Sequence, residues 1–251
     1  MTTDIRIRAF RAIDDPDTCL KFINGHRRVL SIYGIENITT NTDEWMYNPS
    51  IFVVAVESLD GEKLFGGCRL QAADGVHPLP MEEAVGKLDG RIYDLVQWNA
   101  QYGTGELSGL WNSKEVAGLG VGSLFPSRVI VAIASQIGIK TMLSLCSPTT
   151  VRFNQWLGSR VLTDIGDNGT FYYPKIDLIA TAVILDDVQN LSNTHPRERE
   201  KMIFLRNNPK CVIEEKSPFK NVHIKVHYDL EIKSAKRGEF IIPIEKKLLS
   251  K

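Results

Sequence analysis

Apolar and polar positions alternate along residues 4–9, where Ile5, Ile7 and Ala9 oppose Arg6 and Arg8. A period of two predicts a half-buried strand. Asp15 followed by Pro16 reads as a helix start: an N-cap side chain, then a residue whose missing N–H is tolerated at the first helical position. Leu20, Ile23, Arg27 and Leu30 follow at helical spacing, and Gly34 closes the helix. Residues 35–49 are polar and irregular. The apolar runs 50–57 and 63–70 flank Asp60-Gly61, a strong short-range hairpin signal. His77-Pro78-Leu79-Pro80 must be extended, because a residue before proline is pushed out of the helical region. A short helix is predicted near 81–88, and 91–99 fits helix or strand.

Residues 104–138 organise the rest. An alternating strand (104–111) leads through a polar loop (112–115) into Ala117-Gly118-Leu119-Gly120-Val121-Gly122-Ser123, and a long apolar helix ends at Gly138. Strand, glycine-rich turn and helix present bare N–H groups to an anion, and the helix dipole adds about half a positive charge there. The same turn is also what a tight strand-to-helix connection looks like. Next come a buried strand (139–146), a helix from Ser147-Pro148 to about Leu157, and strands at 159–164 and 170–184 around Asp167-Asn168-Gly169. After Asp186 the chain becomes strongly charged. Thr194 and Pro196 open a helix with Met202, Ile203 and Leu205 on its apolar side, and 222–232 alternate as a strand. The pattern predicts an α/β (α+β) chain with a mixed central sheet flanked by helices. Residues 1–185 form the main domain. Residues 186–251 form a helix–strand extension that covers a sheet edge or makes a homodimer contact.

The 251 residues carry 30 basic and 30 acidic side chains, so the basic excess of a nucleic-acid binder is missing. No run approaches the roughly 18 apolar residues of a membrane span, and the charged N-terminus is no signal peptide. Four cysteines without metal-type spacing read as reduced thiols of a cytoplasmic protein; Cys68 and Cys146 lie in apolar strands and read as core. His223 and His227 share a strand face about 13 Å apart, too far for one metal ion. No metal site is expected.

The chemistry concentrates near the central strand. In unbroken alternation Glu106, Ser108 and Leu110 face one way, and Leu107, Gly109 and Trp111 the other. A carboxylate in a central strand must be paired or used. It can take the proton that an ammonium must lose before it attacks, or it can serve in a structural ion pair. A lone Arg69 in an apolar strand must also be paired. It clamps the carboxylate of an amino-acid-like acceptor, partners Glu106, or pairs with an acid of 35–49. Asp43 is a weaker candidate. His26 reads as a surface residue, and Trp98, Trp111 and Trp156 as core before acyl-chain lining. The turn fits neither Gly-x-Gly-x-x-Gly, which needs an acid about 20 residues on, nor a P-loop.

It resembles instead the acyl-CoA pyrophosphate loop of the GNAT superfamily of acyltransferases, Arg/Gln-x-x-Gly-x-Gly/Ala. Gly120 and Gly122 match its small positions, and Ala117 stands where Arg or Gln is usual. The order of elements is also that of a GNAT domain. Residues 105–111 (GELSGLW) resemble the Glu-Leu/Ile-Ser-Arg-Phe strand of the acyl-homoserine-lactone synthases, a GNAT-like family that also resembles the bacterial N-acyl amino acid synthases. Residues 65–70 (FGGCRL) resemble its Gly-x-x-Arg-Leu strand, and Pro78-Leu79-Pro80-Met81 its proline-rich turn. His26-Arg27-Arg28-Val29-Leu30 falls where the family has its N-terminal Arg and Val-Phe, Asp43 where it has acidic residues, and 171–185 where it has a Tyr-Pro strand. The resemblance covers roughly residues 20–185. Gly109 replaces an Arg, Leu30 a Phe, and Ile35 or Glu36 a Trp, all groups that shape the S-adenosylmethionine pocket. Asn154 stands where many GNAT acetyltransferases place a Tyr general acid.

The resemblance implies an N-acyltransferase that uses acyl-CoA or acyl carrier protein as donor and a small amino-acid-like amine as acceptor. It implies catalytic roles for Glu106, Ser108 and Arg69, with the donor held by Leu110, Trp111 and the amides of Leu119, Gly120, Val121, Gly122 and Ser123. Acetyl-CoA-dependent N-acetylation, or acyl-CoA binding without catalysis, are the alternatives. The long stretch 71–103 carries Val76, Leu79, Met81, Leu88, Ile92, Tyr93, Leu95, Val96 and Trp98. It is expected to wall an acyl-chain tunnel with the sheet near Trp111 and Leu145.

Overall fold

The computed structural model of the chain describes residues 3–35, 42–218, 220–236 and 238–243; Glu36 and most of the loop after the first helix lie outside these. Strand β1 (Thr3–Arg11) leads into α1 (Pro16–Ile32), and β2 (Ile51–Glu57) and β3 (Leu64–Ala72) form the hairpin around Gly61. Helices α2 (Pro80–Val85) and α3 (Arg91–Ala100) precede the central β4 (Thr104–Asn112). Helix α4 (Leu124–Ile137), β5 (Thr141–Cys146), α5 (Pro148–Trp156), β6 (Arg160–Val161), β7 (Thr170–Tyr172) and β8 (Ile179–Leu185) follow. The chain then adds α6 (Pro196–Asn207), β9 (Lys210–Lys216) and β10 (His223–Asp229).

The strands form one sheet in the order β6-β8-β5-β4-β3-β2-β1-β10-β9, with β7 also pairing β8. Among the described residues only β1–β10 and β4–β5 pair in parallel. One face carries α4 and α6 over Ile5, Ile7, Phe52, Val54, Leu70 and Leu107. The other carries two apolar clusters. One gathers Phe22 and Ile23 of α1 with Trp45, Met46, Val53 and Trp111. The second gathers Leu79, Met81, Ile92 and Val96 with Leu143, Ala182 and Ile184. Sustained burial of β2 on both faces explains its unbroken apolar run.

Several local expectations hold for stated reasons. Asp15 caps α1, its Oδ1 accepting from Thr18 N at 3.0 Å, and 91–99 is helix. Others shift. The buried stripe of α1 is Cys19, Phe22, Ile23 and His26, while Leu20 is exposed. The expected strand 170–184 is two strands, which fold back on each other as an antiparallel pair through a turn over 173–178. Strand β9 has no counterpart in the pattern reading. Residues after 186 continue the sheet: β10 lies beside β1 from Thr3 to Arg8, β9 beside β10, and α6 packs against α4.

Candidate active site

Strands β4 and β5 are paired only at their starts. The parallel ladder joins Thr104 to Thr141, Gly105 to Met142 and Glu106 to Leu143, and no pairing joins the two strands beyond that point. Both strands continue, each paired only on its far side, β4 with β3 to Asn112 and β5 with β8 to Cys146. They therefore diverge into a V whose apex is Glu106. The inner edges of the V offer backbone N–H and C=O groups to an extended ligand, as an open sheet edge does.

Polar side chains sit at this apex in otherwise apolar surroundings. Glu106 is 2% exposed, and its Oε2 accepts from the N–H of Met81, at the start of α2, at 2.7 Å. Burial pushes its carboxyl up to about 8; the Met81 hydrogen bond and the Arg69 charge oppose that, while Glu82 and Glu83 add to it. Arg69 is opposite Ser108 in the β3–β4 register, is 3% exposed, and lays its guanidinium over the Trp45 ring at 4.3 Å. Burial lowers its pKa and Glu106 raises it, and it stays charged at neutral pH. Glu106 thus meets the α2–α3 cluster and Arg69 the α1 cluster, forming a polar seam between two apolar walls.

The expected alternation along β4 fails at one place. Gly109 has φ +60°, and the register slips there, so that Gly109 and Leu110 together oppose Cys68. Beyond this bulge the faces exchange. Leu110 packs on the α4 side, and Trp111 turns to the α1 side, edge-on to Phe22 at 5.7 Å. Trp111 therefore joins Glu106, Ser108 and Arg69 on one face, and Leu110 leaves it. Among the described residues Ser108 Oγ, Trp111 Nε1, Asn112 Oδ1 and Ser113 Oγ are buried without a hydrogen-bond partner. Three such atoms on one diverging strand and a fourth just beyond its end mark a place where a ligand would complete the bonding.

The turn from Ala117 to Ser123 opens α4 as expected, but its glycines have another reason to be there. Gly120 has φ +77°, and a Cβ on it would meet the Pro218 ring at 2.6 Å. A Cβ on Gly122 would collide with the Asn112 side chain. The small residues are thus needed for packing between β4 and the β9–β10 turn. The N–H groups of Gly120, Val121 and Gly122, all buried, have no partner among the described residues. Leu119 and Ser123 spend theirs inside the turn, on Val116 O and Gly120 O. An amide left over in a buried turn at a helix start suits an anion.

Elsewhere the sequence expectations divide. His26 is buried, 6.3 Å from Phe22 between ring centroids, and burial followed by the Arg69 charge lowers it to about 4, so it is neutral. It points inward because it lies three and four residues after Ile23 and Phe22 on the buried stripe. Asp43 pairs with Arg27 at 3.3 Å on the surface. Trp98 is exposed and meets Tyr102 edge-on, and Trp156 is also exposed. Of the expected tunnel wall, Leu79, Met81, Ile92 and Val96 are buried, but Val76, Leu88, Tyr93 and Trp98 face solvent. Asn154 is buried and donates to Cys146 Sγ and to Thr150 O at 3.1 and 3.2 Å. Trp45, unmarked in the sequence reading, proves to be the platform for Arg69. Among the described residues no cluster of metal-ligating side chains occurs, and no helix is long and apolar enough to cross a membrane.

This arrangement has known relatives in three dimensions. An N-acyl amino acid synthase from uncultured soil microbes, FeeM, superposes with TM-score 0.54 at 19% identity, covering 76% of this chain and 94% of its own. The two share a fold. A CoA-dependent acyl-homoserine lactone synthase, BjaI, solved with SAM and isopentyl-CoA, shares this synthase fold with TM-score 0.56 at 13% identity, over 94% of this chain and 97% of its own. A second CoA-dependent lactone synthase, MesI, gives 0.51 at 17% identity, over 80% and 95%. No family model and no curated protein matches the sequence.

Proposed function

We propose that the protein is an N-acyltransferase that moves an acyl group from an acyl-CoA or acyl carrier protein thioester to the amine of a small amino-acid-like acceptor. The observation that carries the reading is Glu106, a buried carboxyl at the apex where β4 and β5 part. The synthase fold, the partnerless polar atoms of β4 and the spare amides of 120–122 support it. In this reading the thioester lies between the strands, with its phosphate at the turn before α4. Glu106, directly or through a water, takes a proton from the acceptor ammonium. The amine attacks the thioester carbonyl carbon and a C–N bond forms. The proton that the attacking nitrogen then sheds passes through water to the sulfur as the C–S bond breaks, so that the thiol leaves, since the Asn154 amide has no proton to give. A carboxyl titrating near 8 is well matched to this exchange at neutral pH. Arg69, charged and stacked on Trp45, holds the acceptor carboxylate, and Ser108 is its cross-strand neighbour. CoA or carrier protein serves as co-substrate, and Leu110 and Trp111 contribute to the donor side from opposite faces of β4.

The direct test is thiol release from acetyl-, hexanoyl- and dodecanoyl-CoA and the matching carrier-protein thioesters, with and without a panel of amino acids. Amine-dependent release supports the reading. Binding of the thioester with no release under any amine would make the protein a carrier-type binder. A second reading, acetyl-CoA-dependent N-acetylation, is favoured by the exposure of Val76, Leu88, Tyr93 and Trp98, which thins the expected acyl-chain wall. A higher kcat/KM for acetyl-CoA than for hexanoyl-CoA would select it.

A further inference from the structure

We propose that the β9–β10 turn belongs to the donor-phosphate site and that the Lys220 ammonium binds a phosphate of a phosphopantetheine-containing donor. The inference rests on the acyltransferase reading and adds to it a residue 103 positions away from the loop it serves. Residues 116–123 carry no charged side chain, yet a CoA-type donor brings at least two negative charges to such a turn. Lys114 and Glu115 beside it cancel, and Glu115 already faces Lys63 at 3.6 Å.

Lys220 supplies what the loop lacks. Its Nζ donates to Ala117 O at 3.0 Å, and its Cε lies 3.0 Å from where a Gly118 Cβ would be. Ala117 is the position where the resemblance expects an Arg or Gln, so a cation from another element stands against the residue that lost one. An ammonium has three donors, and one is spent on Ala117, which leaves two for an anion over the exposed side of the turn.

The turn is fixed in place by the same helix that the loop opens. Lys220 N donates to Ser217 Oγ at 3.1 Å, Ser217 Oγ donates to Gly118 O at 3.4 Å, and Pro218 lies against Gly120. Two residues before Ser217, the buried Glu215 accepts from Arg128 Nη1 at 2.7 and 2.8 Å, from Lys201 Nζ at 2.7 Å and from Tyr228 Oη at 2.6 Å. Arg128 lies one turn inside α4 and also donates to Glu198 Oε2 at 2.6 Å. Ser217, Pro218 and Lys220 are therefore tied to the loop, and Glu215 ties the end of β9 to the first turns of α4.

The experiment compares the full-length protein with Lys220→Gln, which removes the charge, and Lys220→Arg, which keeps it. CoA and pantetheine are the probes, read by calorimetry at low and high salt. We expect Lys220→Gln to weaken CoA about tenfold at low salt, the scale of one charge-assisted hydrogen bond, with a smaller effect at high salt. Pantetheine, which has no phosphate, should bind both proteins alike, and Lys220→Arg should retain most of the CoA affinity. An equal loss for CoA and pantetheine would make Lys220 a mere brace for Ala117 and overturn the proposal. CoA binding by Lys220→Gln within twofold of the parent would overturn it while leaving the acyltransferase reading intact. Failure of the parent protein to bind either CoA or a phosphopantetheinylated carrier protein would overturn both.

Discussion

Replacing Glu106 by Gln separates a catalytic carboxyl from a structural one, because the two roles move stability in opposite directions. Gln keeps the size of the side chain and an oxygen that can accept from Met81 N. It cannot ionise. A carboxyl whose folded pKa is raised binds its proton more tightly in the folded state. Its burden on stability is absent below the ordinary value of 4.5, grows as pH rises, and is complete above about 8. At about 1.4 kcal/mol per unit, that rise bounds the burden at roughly 5 kcal/mol, and relaxation around the carboxylate makes half of it a sounder expectation. At about 2–4 °C per kcal/mol for a chain of this size, Glu106→Gln should melt about 5–10 °C above the parent at pH 8.5. At pH 4.5 the two should melt together. Over the same interval acyl transfer by the variant should fall about 10²–10⁴-fold, and the parent's kcat/KM should rise with pH to a plateau above about 8. A variant less stable than the parent at pH 8.5 would mean that the carboxylate is held ionised against Arg69, and the general-base role would fail with it.

Arg128→Met should cost about 3–5 kcal/mol in a urea melt, because it strands Glu198 as a buried carboxylate and leaves Glu215 with only Lys201 and Tyr228; adding Glu198→Gln should recover part of the loss. Gly109→Ala should lower stability by about 1 kcal/mol, since φ is +60°. Its Cβ would also lie 3.1 Å from Arg69 Nε, so the acceptor KM should rise more than the donor KM. Gly120→Ala should destabilise the protein through the Pro218 ring, and Pro218→Gly in the same chain should relieve it. Additive effects in that double-mutant cycle would show that the contact does not constrain the turn.

Local chemistry was legible wherever the cause lies within a few residues. The Asp60-Gly61 hairpin, the Asp15-Pro16 helix start and the strand–turn–helix around Gly120 all appear as expected. Glu106 was legible because a carboxylate in an apolar central strand stands out. What escaped depends on distant partners. The face exchange at Gly109 is set by register against β3, not by the pattern of β4, so Leu110 and Trp111 could not be assigned to their sides. His26 was misplaced because the helix pattern offered Leu20 and Leu30 as an alternative stripe, and only packing against β3 and β4 decides between them. Strand β9 has a charged sequence because it forms the sheet edge, and charge there masks the strand signal.

The two departures from the synthase pattern look different once the neighbours are known. At 109 the sequence has Gly where the pattern has Arg, and at 117 it has Ala where Arg or Gln is usual. Read alone, both suggest a site stripped of positive charge. In the fold, each small residue lies under a cation from another element: Arg69 beside Gly109, and Lys220 beside Ala117. At 109 a long side chain would run into Arg69, which already lies against Trp45. At 117 a long side chain would compete with Lys220 for the same rim of the turn. The substitutions therefore do not by themselves argue for an inert protein. They predict instead that restoring the pattern residue will not restore a missing function. Gly109→Arg would displace Arg69 and strain the bulge, and Ala117→Arg would place two cations over one turn, tightening CoA only if Lys220 is neutralised in the same chain.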